Sequence, residues 1–275
     1  MGRHLACLTV DFDAVSGWIL RGMTSPMPIS RGEFGAVGTE RILDLLARRG
    51  IAATWFIPGH TVHSYPALCR RIHAEGHEVG HHGYLHEPPA TLSCDAEEDV
   101  LVRGLAAIGD VIGLAPRGYR SPSWDLSAHT VDLLTAHGFV YDTSMMAHDT
   151  QPYRARRGDV FQSDGQTRFG AATGLIEMPV SWSLSDYQHF EYTGVLPGLR
   201  ASGGVLENWV DDFRYMAQRD DWGVLTYTVH PEAIGRGHRM LFLERLIDAL
   251  TELGAVFVRL DAAAREFDAR APYRD

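Results

Sequence analysis

The sequence predicts an α/β chain folded as a (β/α) barrel with about seven or eight parallel strands. Short apolar runs alternate with amphipathic stretches, as in parallel α/β folds. Polar residues follow several of those runs directly. No Pro/Ser-rich linker, repeat or low-complexity tract divides the 275 residues. This length suits one large domain or two small ones, and the unbroken alternation favours a single domain over 1–275.

The elements follow in order. Leu5 to Val10 is a strand-type run. Thr39 to Arg49 has Ile42, Leu43, Leu45 and Leu46 at helical spacing and stops at Gly50. Ile51 to Ile57 predicts a strand, Tyr65 to Glu75 a helix, and His77 to Gly80 a brief strand. A helix is expected from Asp95 to Ile112, with Glu97 and Glu98 complementing the dipole in its first turn. Arg117 to Arg120, Ser127 to His137 and Phe139 to Tyr141 continue the alternation. Periodicity fails from Thr143 to Gly174, and a stretch of that length predicts a lid or binding loop. Strands resume at Leu175 to Val180, Val224 to Val229 and Ala255 to Val258, with helices at Val205 to Gln218 and Arg239 to Leu253.

A net charge of -10 argues against nucleic acid or an anionic membrane as the main partner. Arg154, Arg156 and Arg157 form a short basic patch, read as a solvated loop. Three cysteines without a C-x-x-C pair make no disulfide framework and fit a reducing compartment. The N-terminal apolar run ends at once in acidic residues, unlike a secretory leader, and no run approaches a spanning helix. A cytoplasmic location is therefore expected.

In a parallel barrel the C-terminal strand ends converge on one face. Asp11 and Asp13 follow the first strand and His81, His82 and His86 the third; Arg120, Asp142 and His230 close later ones. His82 and His86 share a face if HGYLHE forms a helical turn, although Gly83 also permits a loop that turns back. With Asp13 they make the His, His, carboxylate set of catalytic zinc sites. The same set suits iron, cobalt or manganese, so one divalent metal is expected, with zinc first. His81 points the other way in an extended segment and reads as a packed or exposed histidine.

Asp11 and Asp13 project to the same side of a strand. With Asp13 on the metal, Asp11 is free to take a proton from the attacking water; a turn-capping role for Asp13 is the alternative. Arg120 would orient Asp11 and lower its pKa. Asp142 would sit behind His230 and raise its pKa, so that His230 protonates a leaving amine. Trp124, Tyr84 and Trp182 are candidate substrate contacts, and the amide of Tyr84 or Leu85 is a candidate donor to the developing oxyanion.

At these residues the chain resembles the polysaccharide deacetylase family (carbohydrate esterase family 4). TVDFDA, HGYLHE, RGYRSPSW, YDTS and LTYTVHPEAIGR match its motifs in order, over nearly the whole chain. In that family the first Asp is the base and the second a metal ligand, and the fold is a distorted (β/α) barrel. D-F-D in place of F-D-D, and the ending HPEAIGR, resemble the intracellular branch. That branch includes peptidoglycan-deacetylase-like proteins and relatives acting on cyclic imides or allantoin. Its metal-free allantoinase-like members lack the full ligand set, which is present here.

The expected function is a metal-dependent hydrolase of a non-peptide C–N bond that removes an N-acetyl group from an amino sugar. Hydrolysis of a cyclic imide or allantoin-like amide is the alternative. A non-catalytic carbohydrate-binding relative, with Trp124, Tyr153 and Trp182 stacking on ligand, is a third reading. A nucleophilic serine or cysteine hydrolase lacks its G-x-S-x-G elbow or a Cys poised by His. A small-molecule or sugar substrate is the expected partner, and a homo-oligomer is compatible with the sequence.

Overall fold

The computed structural model describes residues 2–192 and 198–274. Among the described residues one sheet holds nine strands: β1 (Arg3–Asp11), β2 (Thr54–Ile57), β3 (Glu78–His81), β4 (Gly118–Tyr119), β5 (Tyr141–Asp142), β6 (Tyr153–Arg157), β7 (Ala171–Glu177), β8 (Trp222–Val229) and β9 (Val256–Phe257). Their order is β6-β7-β5-β4-β3-β2-β1-β8, with β9 added to β1. Every pairing is parallel except that of β6 with β7. No ladder joins β8 to β6 among the described residues. Instead Val224 donates its amide to the Thr150 carbonyl at 2.9 Å, and Gln151 Nε2 donates to Trp222 O at 2.6 Å. The sheet is therefore a curled half-barrel, the distorted (β/α) barrel expected.

β1 is the centre of the molecule. It pairs with β8 from Arg3 to Val10, while its other edge is shared by β9 at Leu5–Ala6 and β2 at Thr9–Asp11. Alternation sorts its side chains by face. Ala6, Leu8, Val10 and Phe12 enter the large apolar cluster with the helices. Leu5 and Cys7 join a second cluster with Phe56, Tyr141 and Leu260. Thr9 and Asp11 continue that inner row, so it turns polar toward the C-terminal end. The helix Leu260–Arg270, which the periodicity did not reveal, contributes Leu260, Ala263 and Ala264 to the inner cluster.

The helix expected from Thr39 begins earlier and spans Pro26–Arg49, ending at Gly50 in the left-handed region (φ +64°). Its first half carries Gly32, Gly35 and Gly38, which weaken the helical signal but permit close packing. A Cβ at Gly38 would lie 2.0 Å from the Pro231 carbonyl oxygen, and one at Gly32 2.5 Å from that of Ala14. The helix thus packs directly on the main chain that carries His230 and on the main chain after Asp13.

The segment 143–174 is not a lid. Tyr153–Arg157 forms an edge strand antiparallel to Ala171–Glu177. Ala155 is fully buried, while Arg154, Arg156 and Arg157 pair with Asp268, Asp159 and Asp132. Charges along an edge strand discourage further pairing, and they also hid its periodicity.

Candidate active site and metal centre

The C-terminal ends of the parallel strands share a rim. Ile57, His81, Tyr119, Asp142 and Glu177 are consecutive register partners from β2 to β7, and Asp11 stands opposite Phe56. A cavity of about 240 Å³ opens at this rim, lined by Asp11, Asp13, His82, His86 and His230 among others.

His82 and His86 are in a loop, not on a helix: Gly83 (φ +71°) and His86 (φ +69°) are left-handed, and the chain turns back on itself. The two rings stand nearly perpendicular with centroids 5.0 Å apart. His82 Nε2 lies 3.5 Å from Asp13 Oδ1, and His86 Nε2 3.4 Å from Asp13 Oδ2. The three ligand atoms fall within 4.8 Å of one another. His82 Nδ1 donates to the Arg120 carbonyl at 2.7 Å; a carbonyl only accepts, so the Nε2 lone pair faces the cluster. Asp13 Oδ1 is buried without a hydrogen-bond partner. Burial pushes the Asp13 carboxyl up despite the attraction of His82 and His230. A divalent cation between these atoms would relieve both conditions, so the residues fit such an ion.

Asp11 is buried and receives Arg120 Nη1 at 2.7 Å. Burial alone would raise its pKa, but Arg120, then His82 and His230, hold it below the usual carboxylate value. The guanidinium is itself enclosed, donating to Thr9 Oγ1 at 2.9 Å and to the Thr143 carbonyl at 3.3 Å, with its carbon 4.4 Å from the Phe56 ring centre. Arg120 is thus the expected partner of Asp11.

His230 Nε2 lies 3.7 Å from Asp11 Oδ2. Its Nδ1 is held by Asp186 at 2.7 Å, not by Asp142. Burial would lower the imidazole pKa; Asp186 first, then Asp11 and Asp13, reverse this and raise it to about 10. Asp186 escaped the sequence reading because it follows the end of β7 by nine residues, at the start of the helix Asp186–Phe190. Asp142 sits at a strand end but faces a different group. Its Oδ1 accepts from Ser144 Oγ at 2.7 Å, and Ser144 Oγ accepts the Ser121 amide at 2.9 Å. Glu177, beside Asp142, accepts the amides of Ser144 and Met145, both at 2.8 Å. Asp142 therefore supports the turn that carries Trp124.

Trp124 and Trp182 line the cavity as expected, joined by Trp18, Arg21 and Tyr187. Tyr84 does not line it; its ring packs under Arg103, 3.9 Å from the guanidinium carbon. Nor are the amides of Tyr84 and Leu85 free, since both donate to Glu87 Oε2, at 3.1 and 2.7 Å. No residue of 143–174 lines the cavity. Ala14, His86, Ser123 and Trp124 all line it with positive φ, between +49° and +69°. Such strain in residues other than glycine gathers where a site over-determines its backbone. His81 is a packed histidine: Nε2 donates to the Leu101 carbonyl at 3.0 Å, and burial lowers its pKa to about 3.

Residues 31–141 match the polysaccharide deacetylase family. The chain is 35% identical to the peptidoglycan deacetylase of Helicobacter pylori over 285 residues, covering 98% of this chain and 97% of that one. A structure assigned to the polysaccharide deacetylases, from Mycobacterium smegmatis, aligns with a TM-score of 0.83 at 30% identity, over 98% of this chain and 91% of that one. Puue allantoinase aligns with a TM-score of 0.82 at 20% identity, over 99% and 93%, a likeness of fold. Fold and relatives define a barrel hydrolase of C–N bonds other than peptide bonds. The chain belongs to the polysaccharide deacetylase family, in which dependence on a metal is general. Among the described residues no helix is long and apolar enough to cross a membrane.

Proposed function

We propose that this chain removes the N-acetyl group from an amino sugar, with Asp13, His82 and His86 holding one divalent metal, Asp11 as base and His230 as acid. The observation that carries this is the 3.7 Å approach of Asp11 Oδ2 to His230 Nε2 beside the Asp13–His82–His86 cluster. The peptidoglycan deacetylase of Helicobacter pylori supports the sugar substrate. A carboxylate with two imidazoles suits zinc first, and also iron, cobalt or manganese.

When bound, the metal supplies polarisation of the amide carbonyl and acidification of water. Asp11, kept ionised by Arg120, takes a proton as water attacks the carbonyl carbon. We assign the backbone donor to the developing oxyanion to the Ser123 amide, which lines the cavity, because the amides of Tyr84, Leu85, Ser121 and Trp124 are engaged and Pro122 has none. His230 Nε2 delivers its proton to the nitrogen as the C–N bond breaks, giving acetate and the free amine. Asp186 is a positioning residue that aims the ring and favours its charged form.

We read the chain as one domain, supported by the pairing of β1 with both β8 and β9, which joins distant parts of the sequence. Three free cysteines, two of them buried, agree with a reducing cytoplasm. The test is elemental analysis of the purified protein, then turnover of N-acetyl sugars beside cyclic imides. Metal-bound protein that hydrolyses the imides and leaves the sugars untouched would overturn the sugar assignment.

A further inference from the structure

Ten buried side-chain polar atoms meet no hydrogen-bond partner among the described residues, and four of them belong to residues lining the active-site cavity. Asp13 Oδ1 is accounted for by the cation. Ser185 Oγ, Gln188 Oε1 and Glu232 Oε2 are not. Ser185 is 1% exposed and Glu232 8%. Buried polar atoms without partners are rare and destabilising, so three around one wall mark a surface completed by ligand. All three can accept: the Gln188 amide oxygen only accepts, while the Ser185 hydroxyl and the Glu232 carboxyl, raised by burial and by Asp13, can donate as well.

Their position says which half of a ligand they meet. Ser185 precedes Asp186, the partner of His230, and Gln188 follows Asp186 in the same short helix. Glu232 stands two residues beyond His230 in the helix Pro231–Ile234. All three therefore neighbour the group that protonates the leaving nitrogen and line the same cavity.

We propose that Ser185, Gln188 and Glu232 form a wall that reads hydrogen-bond donors on the amine half of the substrate. This rests on the amidase reading above. The substrate class is an amide whose leaving amine carries O–H or N–H groups beside the scissile nitrogen. Hydroxyls of an amino sugar and ring N–H groups of a ureide share that chemistry.

Binding by calorimetry tests the wall separately from turnover. N-acetylglucosamine presents O–H donors on its amine half, hydantoin presents N–H donors, and N-ethylacetamide presents a bare ethyl group. Ser185→Ala, Gln188→Leu and Glu232→Leu each weaken a donor-bearing probe by roughly fivefold to tenfold, as loss of one hydrogen bond predicts. N-ethylacetamide binding and Tm stay close to wild type, which a merely structural role would not allow. The probe that loses affinity identifies the donor as O–H or N–H. Equal affinity of wild type and all three variants for both donor-bearing probes overturns the wall. Selective binding without turnover leaves the wall standing and sinks the amidase reading; turnover without selectivity does the reverse.

Discussion

His230 and Asp186 are joined twice: the ring Nδ1 meets Asp186 Oδ1 at 2.7 Å, and the same carboxylate accepts the His230 main-chain amide at 3.0 and 3.1 Å. One aspartate, 44 residues away in sequence, fixes both the ring and the backbone that bears it. The opposite nitrogen is thereby aimed at Asp11.

Asp186→Asn should lower kcat by about a hundredfold or more, within the range for general acid catalysis, with a smaller change in KM. The pH profile gives a sharper check. The imidazole is held up at about 10 chiefly by this carboxylate against burial. Without it His230 loses its proton at lower pH, so the alkaline limb of kcat moves toward acid. An unmoved limb would remove His230 as the acid.

Asp13→Ala and His86→Ala should lose bound metal and turnover together, read by elemental analysis alongside the assay. Chelation of wild type should abolish activity, and readdition of zinc or another divalent ion should restore it. Full activity in a metal-free preparation would sink the scheme.

Arg120→Met leaves the Asp11 carboxylate buried without its cation. Breaking a buried pair costs about 3–5 kcal/mol, measurable as a fall in the urea midpoint at constant m. The base should also protonate more readily, because Arg120 is the main group lowering its pKa against burial. In whatever activity survives, the acid limb should move to higher pH.

Glu78 provides a stability test remote from the metal cluster. Burial first, with Asp261 adding, raises its carboxyl to about 7, against hydrogen bonds from Thr54, Tyr141 and the Asp261 amide. A folded pKa above the unfolded value gives stability that is complete below about 4.5 and lost as pH rises through 7. The loss is on the order of 3 kcal/mol. Wild type should lose more stability between pH 5 and pH 8 than Glu78→Gln, whose amide keeps a contact with the Tyr141 hydroxyl. Parallel urea curves across that range would refute the shift.

Much of the barrel was legible because buried parallel strands are continuous apolar runs and their helices carry a 3.6-residue stripe. The early half of Pro26–Arg49 was obscured by glycines needed for packing, and Tyr153–Arg157 by arginines that suit an edge. In the site, Asp11, Asp13, His82, His86, Arg120 and His230 stood out because each lies at or just beyond a strand end. Asp142 was placed by that same rule but faces Ser144 instead of His230: proximity to a strand end does not say which neighbour a side chain faces.

The sequence by itself determined the residue types, the strand-end positions and the family motifs, since these depend on local order along the chain. Only the tertiary structure decided that Asp186 rather than Asp142 holds His230, that Glu87 occupies the Tyr84 and Leu85 amides, and that three unpartnered acceptors neighbour the acid. The first depends on loop path, which brings Asp186 to 2.7 Å from His230 Nδ1 while Asp142 faces Ser144, and the second on the local turn that folds Glu87 back onto two amides.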